Sequence, residues 1–325
     1  IYNGSSTPDN IANIIKYHYG VRSKEKSIDM STSHTETVSV PSYWVKGLVR
    51  NIDTSTDYYK IQDAIDNASA EDISHIWAWT YSENVEVDES ITIIGNGTGN
   101  TTLNATSSGR GFDITSDDVT IKNIKVESCG STDTYNGIQA DGDDAIIENV
   151  KVSNCSKGIS VGGSGVWIGN STFTSNYDNG VNIYAGDTSN DAVKVYNNVI
   201  SWNTNAGLRS VEDDTVIKSN SIHNNSDGVY LYNSAETIIA DNTFADNYDG
   251  IEVFNGCPSV VINNNVISDT EKRGIYISGS SANSGVIEAN TITNSGVQGI
   301  LIQHSDYYYL GNTSVSGSGS YDIQF

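Results

Sequence analysis

The sequence is poor in proline, cysteine, methionine and basic residues. Its 325 residues include 3 prolines, 3 cysteines and 1 methionine, and 17 lysines and arginines stand against 40 acidic residues. No apolar run approaches the roughly 18 residues that a membrane-spanning helix needs. The formal net charge of −23 argues against nucleic acids and anionic membranes as partners, because phosphate binding needs clustered cations. We therefore expect no nucleic-acid partner and no membrane insertion.

What the chain does contain is a glycine-led repeat that runs from Gly111 to Ile302. Nine copies begin at Gly111, Gly137, Gly158, Gly180, Gly207, Gly228, Gly250, Gly274 and Gly299, and these glycines are 26, 21, 22, 27, 21, 22, 24 and 25 residues apart. Each copy holds two or three short runs in which apolar and polar residues alternate, as in half-buried strands. A period of this length indicates a solenoid, whose copies must stack to bury a shared core. The repeat therefore predicts an all-β parallel β-helix with about 4.8 Å between turns.

Two series of asparagines accompany the repeat. The first is Asn123, Asn149, Asn170, Asn198, Asn220, Asn242, Asn265, Asn290 and Asn312, and the second is Asn176, Asn203, Asn225 and Asn247. Asparagine tolerates left-handed backbone angles, and its amide can bond along a stack of amides. We interpret both series as ladders that stabilise turns, and ligand binding is the other interpretation.

The stretch from Tyr58 to Phe325 resembles the right-handed parallel β-helix repeat proteins of the pectin-lyase-like superfamily. The resemblance rests on the repeat and on an entry segment, residues 59–68, followed by residues 81–87 and 91–95. It implies a short N-terminal capping helix and about ten or more coils. Residues 1–57 do not follow the repeat, so we divide the chain into a non-repeat segment, 1–57, and a β-helix domain, 58–325.

The superfamily includes polysaccharide lyases, glycoside hydrolases and epimerases, but their motifs are absent from this sequence. None of the three prolines lies in the Arg-x-Pro-x-x-Arg element of pectate lyases. The polygalacturonase segments and the Asp-Pro-His-Glu element of alginate epimerases are also missing. No histidine spacing is typical of a metal site. We expect no groove in which the basic residues of the coils gather beside an acidic set; they are Arg110, Lys151, Lys157, Lys194, Arg209, Lys218, Lys272 and Arg273. We therefore favour a protein without catalytic activity.

Two pairs of aspartates, Asp117 with Asp118 and Asp143 with Asp144, follow their coil glycines by six and seven residues. Both pairs should stack on adjacent turns, where like charges repel unless they are solvated or neutralised. Carboxylate oxygens are ligands that Ca²⁺ prefers. The four aspartates are therefore a candidate Ca²⁺ site, and a solvated turn is the alternative.

Aromatic residues recur two and four positions after the coil glycines. They are Tyr184, Tyr230, Tyr232, Phe254 and Tyr276. If the aliphatic neighbours point inward, alternation places these rings outward. Such a stripe can bind sugar rings or another protein, although tyrosine also simply suits strands.

Several features fit an exported, extracellular or cell-surface protein. The chain begins with Ile1, as a processed chain would, and Asn-x-Ser/Thr sequons are frequent. The sequons lie at Asn3, Asn67, Asn96, Asn100, Asn104, Asn154, Asn170, Asn224 and Asn312. Cys129 and Cys155 occupy the same position of neighbouring coils, at a spacing that a disulfide accepts. The alternative is an unbonded pair of buried thiols.

From these observations we expect an exported, non-catalytic surface protein that acts as a rigid structural or adhesive rod. Strand-like residues outside the repeat could cover the open end of a second copy and propagate head-to-tail filaments. Other surface proteins and glycans are further candidate partners. The alternative functions are a polysaccharide lyase or glycoside hydrolase, or a carbohydrate-binding module.

Overall fold

The computed structural model of the protein describes residues 48–184, 191–279, 283–305 and 307–325. These residues wind into a solenoid in which each turn adds one strand to each of three parallel sheets. The all-β, right-handed parallel β-helix expected from the repeat is thereby confirmed. The short period of the repeat explains this fold, because each copy has room for only three strands of three to six residues and three turns.

The first sheet has 13 strands. In spatial order they are β2 (Thr56–Tyr58), β1 (Val49–Asn51), β3 (Ile73–Ile76), β6 (Thr92–Gly95), β9 (Thr120–Lys122), β12 (Ile146–Glu148), β15 (Trp167–Gly169), β18 (Lys194–Tyr196), β21 (Val216–Lys218), β24 (Ile238–Ala240), β27 (Val260–Asn263), β30 (Ser284–Glu288) and β33 (Tyr307–Gly311).

The second and third sheets have 11 strands each. The second consists of β4 (Thr80–Ser82), β7 (Thr102–Asn104), β10 (Lys125–Glu127), β13 (Lys151–Ser153), β16 (Thr172–Thr174), β19 (Val199–Ser201), β22 (Ser221–His223), β25 (Thr243–Ala245), β28 (Val266–Ser268), β31 (Thr291–Thr293) and β34 (Ser314–Ser316). The third consists of β5 (Val85–Val87), β8 (Phe112–Ile114), β11 (Ile138–Ala140), β14 (Ile159–Val161), β17 (Val181–Ile183), β20 (Leu208–Ser210), β23 (Asp227–Tyr232), β26 (Asp249–Phe254), β29 (Arg273–Ser278), β32 (Gln298–Ile302) and β35 (Tyr321–Gln324).

The core is a column of aliphatic side chains that the alternation in each strand turns inward. In β23, Val229 and Leu231 are fully buried, whereas Tyr230 and Tyr232 are half-buried on the outer face. The same alternation repeats in β26 and β29. Each inward residue therefore packs on its counterparts in the turns above and below.

The second asparagine series forms the predicted ladder inside the turns. The backbone N–H of Asn203 donates to Oδ1 of Asn225 at 3.0 Å, and Nδ2 of Asn225 donates to Oδ1 of Asn247 at 3.1 Å. In the first series the ladder is confirmed for five members, in which Nδ2 of each donates to Oδ1 of the next, in the order Asn198, Asn220, Asn242, Asn265 and Asn290. The other four asparagines occupy a different position, so the equivalence predicted for them was wrong. Asn170 has a left-handed backbone (φ 53°), whereas Asn198 lies one position further along and is buried. The reason is register, since Thr172 pairs with Val199.

The described part of the non-repeat segment packs against its own chain. Strands β1 and β2 extend the first sheet, and β1 is antiparallel to β3. A five-residue helix, α1 (Ile61–Ile65), follows, and its three apolar residues are fully buried. The carboxylate of Glu83 accepts hydrogen bonds from the first two N–H groups of α1. Residues 1–47, which include most of the segment proposed to mediate assembly, lie outside the described residues.

Candidate functional site

The outer face of the third sheet carries a cluster of charged side chains on β23, β26 and β29. Asp227 pairs in register with Asp249, which pairs with Arg273 on the next turn. Glu252 lies on β26, the strand of Asp249. One carboxylate oxygen from each of Asp227, Asp249 and Glu252 lies within 4.8 Å of the others. We call these three residues the acidic cluster.

A coil glycine directly follows each of Asp227, Asp249 and Arg273. A Cβ at Gly228 would lie 2.3 Å from the carbonyl oxygen of Gly250 and 2.7 Å from Cδ1 of Phe244, so only glycine fits there. The strand pairing of β23 with β26 omits this glycine position. Asp227 and Tyr230 are both half-buried, and the two residues between them, Gly228 and Val229, are buried.

Arg273 donates hydrogen bonds to both carboxylate oxygens of Asp249. Its Nε donates to Oδ1 at 2.8 Å and its Nη2 donates to Oδ2 at 2.5 Å, while its backbone N–H donates to Oδ1 at 3.0 Å. The side chain of Asp249 is only 1% exposed. The guanidinium carbon lies 3.4 Å from the ring centroid of Tyr276. Charge-assisted, two-pronged bonds of this kind fix an orientation, so Asp249 and Arg273 form a rigid base for the cluster.

The other two carboxyl groups have strongly raised pKa values. Burial, and then the charge of Asp249, raises the pKa of Asp227 to about 6. Burial, and then the charge of Asp227, raises the pKa of Glu252 to about 7. Perturbed carboxyl groups in a cleft are typical of catalytic sites. Near neutral pH, Asp227 is mainly ionised while Glu252 is about half protonated.

Four of the five predicted aromatic residues surround the acidic cluster. Tyr230 and Tyr276 pair in register with Glu252 from the turns on either side. Tyr232 and Phe254 stack with their ring centroids 6.0 Å apart. The fifth residue, Tyr184, lies on the same face but two turns away, directly after β17. Rings and carboxyl groups therefore share one surface.

The sequence-based view that basic residues do not gather beside an acidic set was wrong. Arg273 contacts Asp249 directly, and the charges of Arg273 and Lys272 both act to lower the pKa of Asp227 and Glu252 against the effect of burial. The acidic cluster itself was missed by sequence reasoning. A signal was present, because Asp227, Asp249 and Arg273 each directly precede a coil glycine.

The predicted Ca²⁺ residues lie on neighbouring turns, but they bond to the backbone. Oδ1 of Asp117 accepts the N–H of Asp143 at 2.9 Å, and Oδ1 of Asp143 accepts the N–H of Ser164 at 2.8 Å. Asp118 and Asp144 are exposed at left-handed positions. Among the described residues, the one group of three acidic, histidine or cysteine side chains close enough to share an ion is the acidic cluster. Ca²⁺ binding by the four aspartates stays a prediction.

The acidic cluster is a poor fit to Ca²⁺, because Arg273 already uses both oxygens of Asp249. That leaves two carboxyl groups, whereas Ca²⁺ takes six to eight oxygen ligands. The arrangement is better suited to exchanging protons than to holding a divalent cation.

The predicted cysteine pair and sequons have clear positions. Cys129 and Cys155 are fully buried on neighbouring turns, with their Cα atoms 4.5 Å apart, and they form a disulfide. Cys257 is a buried free thiol.

All the sequon asparagines within the described residues are exposed or half-buried, and Asn3 lies outside that part of the chain. Glycosylation stays a prediction.

Comparison with known proteins supports the fold assignment. Residues 158–315 match the family model described as the right handed beta helix region.

The chain adopts the right-handed parallel β-helix fold.

Its fold is shared by solved structures of low sequence identity. The mannuronan C-5 epimerase AlgE4 A-module of Azotobacter vinelandii is 18% identical, with a TM-score of 0.64, and the match covers 82% of this chain and 92% of that one. PfbA, a surface adhesin of Streptococcus pneumoniae, is 16% identical, with a TM-score of 0.57 and coverages of 81% and 88%.

A third solved structure is the catalytic domain of a GH87 α-1,3-glucanase in complex with tetrasaccharides. It is 13% identical, with a TM-score of 0.50 and coverages of 77% and 61%. No curated protein matches the sequence. At these identities the likeness extends to the fold alone. Within the described residues, no helix has the length and apolarity to cross a membrane.

Proposed function

We propose that this β-helix protein is a glycoside hydrolase that cleaves a polysaccharide on the outer face of the third sheet. The observation that carries the proposal is the pair Asp227 and Glu252, two carboxyl groups close together on a surface lined by aromatic rings. It replaces the non-catalytic rod that the sequence favoured, because that expectation depended on the lack of a mixed acidic and basic cluster.

The separation of the carboxyl groups favours hydrolysis with retention of configuration. Retaining enzymes hold their two carboxyl groups about 5–5.5 Å apart, whereas inverting enzymes need about 6.5–9.5 Å to admit a water. One carboxylate oxygen of Asp227 and one of Glu252 lie within 4.8 Å of each other, which is nearer to the retaining range than to the inverting one. We therefore assign them to the nucleophile and to the acid, respectively.

The reaction follows from their protonation states. The Asp227 carboxylate attacks the anomeric carbon and forms a glycosyl ester, while protonated Glu252 gives its proton to the departing glycosidic oxygen. Glu252, now a carboxylate, takes a proton from water. That water attacks the anomeric carbon, breaks the ester bond and restores Asp227. Asp249 and Arg273 position the pair and stay outside the proton transfers.

The rings beside the pair supply a binding surface. Aromatic side chains present a large apolar area with a polar tip, which suits the faces and hydroxyl groups of sugars. The export that the sequons led us to expect would fit the same proposal, because polysaccharides are abundant outside cells. The AlgE4 module and the α-1,3-glucanase domain, which have the same fold, are named as enzymes that act on polysaccharides.

The test is the release of reducing sugar from a panel of soluble polysaccharides: a β-glucan, an α-1,3-glucan, a xylan and a polyuronate. We expect the wild type to cleave one of them and Glu252→Gln and Asp227→Asn to lose at least about 100-fold in rate. The matched control is Glu288→Gln, because Glu288 lies on β30 of the first sheet, away from the site. Retained activity in both site variants, or no cleavage of any polymer, would refute the proposal.

An adhesive or structural role is the second candidate, and the shared fold of the adhesin PfbA favours it. It predicts that a glycan or a partner protein binds without turnover. Head-to-tail assembly belongs to this candidate, and it would appear as filaments of the purified protein in electron micrographs.

A further inference from the structure

A second polar cluster lies on the outer face of the third sheet, away from the acidic cluster. Nε2 of Gln139 donates to Oδ1 of Asp141 at 2.6 Å and to the hydroxyl of Tyr184 at 2.8 Å. The Tyr184 hydroxyl in turn donates to Oδ1 of Asp141. Asn136 fixes the amide of Gln139 by donating to its Oε1 at 2.7 Å. We call the contact between Tyr184, Asp141 and Gln139 the Tyr184 bridge.

The bridge spans two turns because a glycine occupies the turn between them. Asp141 directly follows β11, Gly162 follows β14 and Tyr184 follows β17, so the three occupy equivalent positions. A Cβ at Gly162 would lie 2.5 Å from the Tyr184 hydroxyl oxygen and 2.7 Å from Oδ1 of Asp141. Tyr184 therefore lies along the sheet, over the glycine, and its ring remains half-buried.

The ring borders a small surface depression. Gly162, Gly163 and Tyr184, among others, line it. On the side towards the acidic cluster, Asn182 and Arg209 face outward on consecutive strands, and the guanidinium donates to the amide oxygen at 3.3 Å. Within the described residues Arg209 has no carboxylate partner, so hydrogen-bond donors remain for a ligand.

We propose that the Tyr184 bridge is a distal sugar-binding subsite, which makes the protein selective for long glycan chains. The inference rests on the proposed function and extends it to the size of the substrate. Tyr184 lies on the turn of β17, two turns from Asp227 and three from Glu252, or about 10 and 14 Å along the axis. Only a chain of several sugars reaches both sites, and Arg209 lies on β20, the turn between Tyr184 and Asp227.

Binding is measured in the Glu252→Gln background, so that substrate is not consumed. The probes are the four polysaccharides above and short oligosaccharides prepared from them. We expect Tyr184→Ala to weaken binding of one polymer about 10-fold, the loss of one aromatic contact, and to leave the shortest oligosaccharides unaffected. Gly162→Ala should have a similar effect because it displaces the ring. The control is Tyr196→Ala, since Tyr196 is a half-buried tyrosine of the first sheet.

The results separate this subsite from the proposed catalysis. Polymer binding that depends on Tyr184, without cleavage by the wild type, would support the subsite and refute the hydrolase. Unchanged polymer binding in Tyr184→Ala would overturn the subsite even if cleavage occurs, as would equal losses for polymers and the shortest oligosaccharides, or no binding by any probe. Circular dichroism checks the fold of Gly162→Ala, and Tyr184→Ala tests the subsite independently.

Discussion

Replacing Asp227 with asparagine should stabilise the fold at alkaline pH although it removes the proposed nucleophile. The pKa of Asp227 is raised from 3.8 to about 6, first by burial and then by the charge of Asp249. The folded protein therefore holds the proton more tightly than the unfolded chain does. Its contribution to stability is full below the unfolded pKa of 3.8, and it is lost as the pH rises through about 6. Asparagine has no charge to bury, so the variant avoids this loss.

The magnitude follows from the shift. Each pKa unit corresponds to about 1.4 kcal/mol, so a shift of about two units would give about 3 kcal/mol for a fully shielded group. Because part of the Asp227 side chain contacts water, screening reduces the gain to about 1–2 kcal/mol. For a chain of this size that gain raises the melting temperature by about 1.5–3 °C.

The assay is thermal unfolding of both proteins at pH 3.5 and pH 8, with the exposed Asp88→Asn as the control for removing a charge. We expect the difference in melting temperature to be near zero at pH 3.5, to grow between about pH 4 and 6, and to level off above that. A difference that is the same at both pH values, or a variant that is less stable only at pH 8, would show that Asp227 is not destabilised by its surroundings.

Three further predictions concern the site and the scaffold. The rate of polysaccharide cleavage should peak between about pH 6 and 7, because Asp227 must be ionised and Glu252 protonated; a rate that keeps rising to pH 9 would contradict these roles. Asn225→Ala should cost about 2–4 kcal/mol in urea unfolding, because Asn203 and Ile200 lose buried partners, whereas the exposed Asn205→Ala should cost under about 1 kcal/mol. The denatured, unreduced chain should contain one free thiol and the reduced chain three, and breaking the Cys129–Cys155 bond should cost about 3 kcal/mol; three thiols without reductant would exclude the disulfide.

The sequence predicts the scaffold well because the repeat itself is the physical constraint. Each coil glycine marks a place where neighbouring backbones leave no room for a Cβ, as at Gly228. Alternation from that glycine then predicts which residues face outward, and it placed Tyr230 and Tyr276 on the correct side. One-residue offsets are harder to see, so Asn170 and Asn198 were assigned to the same position.

The candidate site was less predictable because its properties arise between turns. That Asp227 lies beside Asp249 could have been found by aligning the residues before the coil glycines. The ion pair of Arg273 and the raised pKa of Glu252 could not, since both depend on burial and distance. The Tyr184 bridge is also invisible to a comparison of adjacent turns, because its partners are two turns apart.

The charges on the outer face of the third sheet favour function there. On the first sheet, Lys122 meets a partner of opposite sign, Glu148, at 2.9 Å. On the third, two aspartates stand in facing register, and a buried arginine neutralises only one of them. A rod needs no such arrangement, since facing like charges destabilise a sheet. An acid–base pair requires carboxyl groups whose surroundings shift their pKa values. The buried, partly neutralised charge at Asp227 therefore both lowers the stability of the fold and supports the proposed chemistry.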